Sequence, residues 1–104
     1  MAEKLWGDFD GGRTLGTVGS EKGTIVLDQE HPEGLRITLE RDGLTAPWVI
    51  TCAVYGEFVH TAFAETEEQA RSMIESMKHE LVGIARESDE DRRFDLMKRF
   101  ADRF

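Results

Sequence analysis

The clearest pattern in the chain is a strict alternation of apolar and polar residues over Leu35–Arg41. A period of two predicts a β-strand that buries one face and exposes the other. Residues 47–55 and Phe58–Ala64 are rich in β-branched and aromatic residues and are also predicted strands. The pairs Asp42-Gly43 and Gly56-Glu57 between these segments are typical of two-residue hairpin turns, so we expect an antiparallel meander.

Upstream of these strands the pattern is weaker. Residues 24–28 are a predicted strand, followed by a turn at residues 31–34 that contains the common turn formers Pro and Gly. Residues 13–18 are a weak strand candidate. Glycine is concentrated before residue 24, so we expect residues 1–11 to form a loosely ordered arm.

The two turns predict the strand registers if each is a two-residue loop. Ile37 then faces Trp48, and Cys52 faces Thr61 across the second hairpin. Cross-strand partners share a face of the sheet, as do alternate residues along one strand. One face would therefore collect most of the large apolar residues. These are Leu35, Ile37, Leu39, Trp48, Ile50, Cys52, Val54, Val59 and Phe63.

After the strands, apolar residues recur at helical spacing, which predicts a helix over residues 66–87. Its apolar stripe comprises Ala70, Met73, Ile74, Met77, Leu81 and Ile84. Thr66 and Gln69 occupy the first and last positions of a capping box. The pair Ser88-Asp89 indicates a stop and a new start, so a shorter C-terminal helix is expected over residues 89–104.

Packing the helical stripe against the apolar sheet face predicts an α+β fold, a two-layer sandwich. We expect a β-meander of about four to five strands within residues 13–64, then one long amphipathic helix and the shorter C-terminal helix. The chain has 104 residues, which is the size of one domain, so residues 1–104 are interpreted as a single domain.

Charge and cysteine content narrow the class of protein. The formal net charge is −8, which disfavours nucleic acid as a partner because phosphate binding relies on Lys and Arg. Cys52 is the single cysteine, so we expect a reducing, cytoplasmic location. The first residues do not resemble a signal peptide, and the longest apolar stretch, residues 46–55, is too short to span a bilayer. No membrane partner is expected.

The opposite face of the predicted sheet holds the first candidate site. In the predicted registers it carries a histidine beside aromatic and polar residues. The candidate ligand-binding or interface residues are Tyr55, Phe58, His60, Thr51 and Val49. A ligand would use His60 and Tyr55 as polar groups, whereas a dimer contact would bury Val49, Phe58 and Tyr55.

No catalytic residue, metal or cofactor is predicted. In the predicted registers Cys52 and His60 lie on opposite faces, so they cannot form a thiol–imidazole pair. His31, His60 and His79 fall on three different elements and lack the spacing of paired metal ligands. The glycine-rich start lacks the Lys-Ser/Thr that completes a phosphate-binding loop. These absences favour a non-enzyme and leave the enzyme question open.

The C-terminal helix is the second candidate site, because its apolar stripe needs a surface to cover it. The partner-helix candidates are Phe94, Met97, Phe100 and Phe104. This helix could fold back on its own domain, or dock on another subunit or a partner protein. Its basic residues also allow docking on a membrane surface, which the equally numerous acidic residues disfavour.

The leading functional hypothesis is a non-enzymatic protein-interaction module, expected to be a homodimer or to bind another protein. A second hypothesis is a small-molecule-binding or catalytic domain that uses the sheet face around His60, Tyr55 and Thr51. A third is a single-stranded nucleic-acid binder, since aromatic residues exposed on a curved meander can stack bases.

Overall fold

The computed structural model describes residues 5–104. Over this range the chain forms an antiparallel meander of five strands in sequential order, followed by two helices. The elements are β1 (Gly7–Asp8), β2 (Thr24–His31), β3 (Leu35–Arg41), β4 (Trp48–Val54), β5 (Phe58–Ala64), α1 (Glu67–Arg86) and α2 (Glu90–Arg103). The predicted α+β fold is confirmed.

The N-terminal part of the chain is more structured than its glycine content predicted. Residues 5–11 are not a loose arm, because β1 pairs with β2 and a short 3-10 helix follows at Phe9–Gly12. Residues 1–4 of the predicted arm lie outside the described residues. The strand predicted over residues 13–18 is wrong, since this segment forms turns in which Gly16 has a φ of 84°.

The hairpin between β3 and β4 has a longer loop than predicted. The loop comprises residues 42–47 and is closed by the Asp42 N–H, which donates to the Pro47 carbonyl at 2.7 Å. Ile37 therefore pairs with Cys52 and not with Trp48. Proline has no N–H for the ladder, which explains why β4 begins after it. The displacement is an even number of residues, so every side chain keeps its predicted face.

The hairpin between β4 and β5 also differs from the prediction, and this difference changes which face of the sheet each β5 residue occupies. Its loop comprises residues 55–57, with Gly56 at a φ of 76°, instead of the two residues predicted. Cys52 consequently pairs with His60, not with Thr61. A one-residue displacement turns the whole strand over, so the predicted assignment of β5 residues to faces is wrong.

The observed orientation of β5 follows from how closely the helices approach it. The residues on its helix side are Phe58, His60, Ala62 and Ala64. The two alanines are fully buried, and their small side chains leave room for α1. Val59 and Phe63 point to the other side and are exposed, at 70% and 51%. Both faces of β5 carry apolar residues, so alternation could not distinguish them.

Helix α1 covers the sheet as its periodicity predicted. Thr66 is the N-cap, and its hydroxyl accepts the N–H of Gln69 at 3.1 Å. The buried stripe comprises Ala70, Ile74, Met77, Leu81, Val82 and Ile84, and Met73 packs against it while partly exposed. Burying each large member of this stripe stabilises the fold by about 1.5–3 kcal/mol.

Helix α2 folds back onto the same chain. Asp89 caps its start by accepting the N–H groups of Asp91 and Arg92, at 2.9 and 3.1 Å. Phe100 is 1% exposed, and its ring meets the rings of Phe58 and His60 edge-on, at 5.8 and 5.7 Å between centroids. An intramolecular contact therefore covers the centre of the C-terminal apolar stripe.

Candidate functional site

The five residues predicted as one ligand or interface surface lie on two different faces. Val49 and Thr51 lie on the outer face, away from the helices, and Tyr55 is in the adjoining loop. Phe58 and His60 lie on the helix side, where their rings stack at 6.2 Å between centroids. The five residues therefore do not share one face, because β5 is displaced by one residue from the predicted register. Their role as ligand or interface residues stays a prediction.

Cys52 and His60 lie directly opposite each other on the same face, contrary to the prediction. This pair is nevertheless not arranged as a nucleophile and a base. Cys52 is 1% exposed, and burial raises the pKa of its thiol to about 12. A thiol in this setting stays protonated at neutral pH and packs as a small apolar group.

Much of the outer face is covered by residues 9–23, which a buried carboxylate holds in place. Asp28 is 1% exposed and accepts hydrogen bonds from Arg36 Nε at 2.9 Å and from Arg36 Nη2 at 2.6 Å. Its second oxygen also accepts the Thr14 hydroxyl at 2.9 Å. The Arg36 guanidinium lies over the ring of Phe9, 3.6 Å from the ring centroid. Asp28 thereby ties β2, β3 and the covering segment together.

A second buried carboxylate anchors the other end of this segment. Glu40 accepts the backbone N–H of Glu21 at 3.1 Å and that of Gly23 at 3.0 Å. A Cβ on Gly19 would lie 2.4 Å from the Glu40 side chain, so any larger residue there would displace the Glu40 carboxylate. Sequence reasoning missed this role. The available signal was an acidic residue on a half-buried strand, preceded at a distance by a glycine-rich loop that supplies the donors.

A cavity of about 240 Å³ remains between the covering segment and the sheet. Its polar lining includes Arg36, Thr51 and Tyr55, and the Thr51 hydroxyl is buried without a hydrogen-bond partner. The volume is below the roughly 300–1,000 Å³ that is typical of ligand pockets. The two buried carboxylates of this face, Asp28 and Glu40, are engaged as anchors. At about 30 Å³ for each water molecule, this cavity has room for roughly eight waters.

Residues 5–104 contain neither a candidate metal site nor a candidate membrane-spanning helix. This part of the chain holds no group of three or more His, Cys, Asp or Glu residues placed to bind a metal ion. Neither described helix is both long enough and apolar enough to cross a bilayer. His31 is buried at the end of β2, where its Nδ1 accepts the N–H of Glu33 at 3.1 Å. Burial lowers the pKa of this imidazole.

The open edge of the sheet is the strongest candidate site. By this term we mean the side of strand β5, Phe58–Ala64, that points away from β4 in the plane of the sheet; we call it the outer side of β5. Strand β5 is last in the sheet, and no backbone group among the described residues hydrogen-bonds to its outer side. None of its seven residues carries a formal charge or is proline. The exposed side chains of Val59 and Phe63 flank Thr61 on the outer face.

A shallow depression with an exposed apolar residue lies on α2, next to the residue that precedes β5. Phe94 is 65% exposed, and together with Met97 it lines a shallow depression beside Glu57, at the start of β5. Arg93 fixes this corner of the molecule: it donates to Glu57 from Nε at 2.7 Å and from Nη1 to carbonyl oxygens at the end of α1. The hydrogen bond from Arg93 lowers the pKa of Glu57.

The predicted partner-helix residues therefore divide into two groups. Met97 and Phe100 are buried within their own chain, and Phe104 packs against Phe100 at 4.9 Å between ring centroids. Phe94 remains available to a partner.

The chemistry that this edge offers is a row of backbone hydrogen-bonding groups between apolar side chains. It can accept an extended segment as a sixth strand. Strand β5 itself carries no charged recognition group, and its one histidine, His60, lies on the helix side of the sheet. This chain matches no protein-family model, no curated protein and no solved structure.

Proposed function

We propose that this protein is a non-enzymatic protein-interaction module that binds its partner by adding a strand at the open edge. The observation that carries the proposal is the seven-residue, uncharged strand β5, which is unpaired on its outer side and exposes Val59 and Phe63. Strand addition uses main-chain hydrogen bonds for affinity and alternate side chains for specificity.

Edges of this kind are uncommon in proteins that act alone. Soluble proteins usually protect an edge strand with lysine, proline, a β-bulge or a very short strand, because an open edge invites pairing with other chains. Strand β5 has none of these devices: it pairs with β4 in an uninterrupted register over its whole length. An interface that is occupied in the working protein accounts for their absence.

The other functional hypotheses have less geometric support. A ligand site around His60, Tyr55 and Thr51 would need these residues on one surface. Thr51 and Tyr55 line the same cavity, but His60 lies on the helix side of the sheet. A single-stranded nucleic-acid site would need basic residues along the sheet, whereas β5 carries none and the chain has a net charge of −8. The single buried thiol of Cys52 suits a reducing compartment, so a cytoplasmic location is part of the proposal.

A synthetic peptide with the sequence of residues 57–65 tests the strand-accepting site directly. We expect it to shift the backbone amide resonances of β5 in the isotope-labelled protein and to slow their hydrogen exchange. Substituting both Val59→Lys and Phe63→Lys places two charges on the edge and should abolish both effects. Leu44→Lys is the matched control, because Leu44 is 80% exposed in the β3–β4 loop.

The outcome that contradicts the proposal is equally specific. If the peptide leaves the β5 amides unchanged at millimolar concentration, or if it affects the doubly substituted protein as strongly as the wild type, then the open edge is not a strand-accepting site.

A further inference from the structure

We infer that the strand which occupies the open edge is β5 of a second copy of this chain, paired antiparallel about a two-fold axis at Thr61. This inference rests on the proposed function, because it names the partner of the same edge. Thr61 is the central residue of Phe58–Ala64. Placing Thr61 opposite Thr61 of the second copy therefore pairs all seven residues of each strand, and the interface is self-complementary as a two-fold contact requires.

On the outer face this register brings the two exposed apolar residues together. Val59 of each copy lies opposite Phe63 of the other, and the contact occurs twice because of the two-fold axis. Pairs of an aromatic and a β-branched residue are among the favourable cross-strand combinations. Both side chains are exposed in the single chain, at 70% and 51%, so pairing would remove apolar surface from water.

On the helix side the same register sets large residues against small ones. Phe58 lies opposite Ala64 of the second copy, and His60 lies opposite Ala62. Phe58 and His60 are held in place by Phe100 of α2, so each copy presents a rigid bulky end and a small end. Antiparallel pairing matches these ends on both sides of the axis.

Neighbouring registers lose this match. An antiparallel pair about a two-fold axis can slide only by two residues, because partners must share a face of the sheet. Sliding one way sets His60 against His60 of the second copy. Sliding the other way places Phe58 opposite Thr66, which lies beyond the strand. The centred register alone pairs β5 with β5 over the full strand.

Charge also favours this strand as the contact between two acidic chains. Each copy has a net charge of −8, so association requires an uncharged surface, and β5 is uncharged along its length. At the ends of the centred register Glu57 lies opposite Glu65 of the second copy. Glu57 is already paired with Arg93 of its own chain, so its charge is compensated. We expect added salt to strengthen the dimer, because it screens the long-range repulsion.

Sedimentation of the full-length protein at micromolar and millimolar concentrations tests the identity of the partner. We expect a reversible dimer that the double substitution Val59→Lys and Phe63→Lys converts to a monomer and that Leu44→Lys leaves intact. A wild-type protein that stays monomeric at millimolar concentration while its β5 binds the peptide would overturn this inference. The proposed function would survive that result.

Cysteine cross-linking tests the register. Opposed residues of an antiparallel pair have Cα atoms about 4.5–5.5 Å apart, which a disulfide can bridge. Under mild oxidation we expect Thr61→Cys to form a covalent dimer, and a mixture of Val59→Cys and Phe63→Cys proteins to cross-link mainly as the mixed pair. The wild type is the control, because its one thiol, Cys52, is buried.

The two failures are distinguishable. A dimer that the Lys substitutions dissociate, but in which Thr61→Cys stays uncross-linked, would overturn the centred register and leave strand addition standing. A monomer at all concentrations whose β5 also ignores the peptide would overturn the inference and the proposed function together.

Discussion

The two edges of the sheet differ in whether their backbone groups are already covered by the chain itself. At the β1 edge the terminal strand has two residues, and the free side of β2 is further occupied at Ile25, which exchanges backbone hydrogen bonds with Gly16 and Thr17. At the β5 edge a seven-residue strand has no such cover. The same sheet therefore blocks pairing on one side and leaves it available on the other.

The two edges also differ in the interactions that support them. The closed edge needs a long covering segment, residues 9–23, and two buried carboxylates, Asp28 and Glu40, to anchor it. Burying a carboxylate costs free energy unless hydrogen bonds compensate, and here several do. The open edge has no buried charge and is backed by the aromatic packing around Phe100 and by α1. The sheet is closed by anchored residues at one edge and left unpaired at the other. This contrast supports an interface at the open edge.

The largest expected effect comes from removing the support behind the open edge. Phe100→Ala should lower the free energy of unfolding by about 3–5 kcal/mol, because it leaves a cavity against Phe58 and His60. Urea denaturation followed by circular dichroism measures this change. Phe94→Ala is the matched control, since Phe94 is 65% exposed, and should change stability by about 0.5 kcal/mol or less. Equal effects of the two substitutions would contradict the observed docking of α2.

At the closed edge the corresponding change is Asp28→Asn. It keeps the shape of the side chain but removes the charge that pairs with Arg36 and one of the acceptors for Arg36 and Thr14. We expect a loss of about 2–3 kcal/mol of stability, and faster hydrogen exchange in residues 9–23. Glu30→Gln, an exposed neighbour on β2, is the control. Unchanged exchange in residues 9–23 would show that Asp28 does not anchor this segment.

The closed edge should also be the acid-sensitive one. Burial lowers the pKa of His31 in the folded protein. In the unfolded chain its pKa is about 6.5, so as the pH falls His31 is protonated in the unfolded state before it is protonated in the folded state. The unfolded state then binds more protons than the folded state, and stability decreases as the pH drops below about 6.5. One proton limits the slope to about 1.4 kcal/mol per pH unit.

Denaturation curves between neutral and mildly acidic pH check this behaviour. His31→Gln should flatten the pH dependence in that window, whereas His79→Gln, at an exposed position on α1, should leave it unchanged. If both variants show the wild-type slope, His31 is not the source of the acid sensitivity.

The smallest effect on folding is expected at the open edge itself. Val59→Lys changes an exposed side chain, so the stability of the monomer should stay within about 0.5 kcal/mol of the wild type. Association should nevertheless be lost, as sedimentation will show. Val18→Lys, at a comparably exposed position near the closed edge, should alter neither property. A large loss of stability in Val59→Lys would mean that this residue serves the fold and not a partner.

Local patterns predicted the elements well wherever one face of a segment was clearly polar. Leu35–Arg41 alternates strictly, and its apolar residues are buried as expected. The stripe and the Thr66 cap of α1 were likewise readable, because helix start signals and helical spacing act over only a few residues. The open edge could not be predicted from local patterns in this way, because it depends on which face of β5 the helices cover.

The sequence by itself determined the meander, both helices and the buried face of β3, because these follow from short-range periodicity and capping. Only the tertiary structure decided the orientation of β5, since both of its faces are apolar and one glycine turn sets the register. The anchoring of residues 9–23 by Asp28 and Glu40 was also a tertiary outcome, because the donors and acceptors lie up to 19 residues apart. Pairing across such distances depends on where the folded chain places each group, which no local pattern encodes.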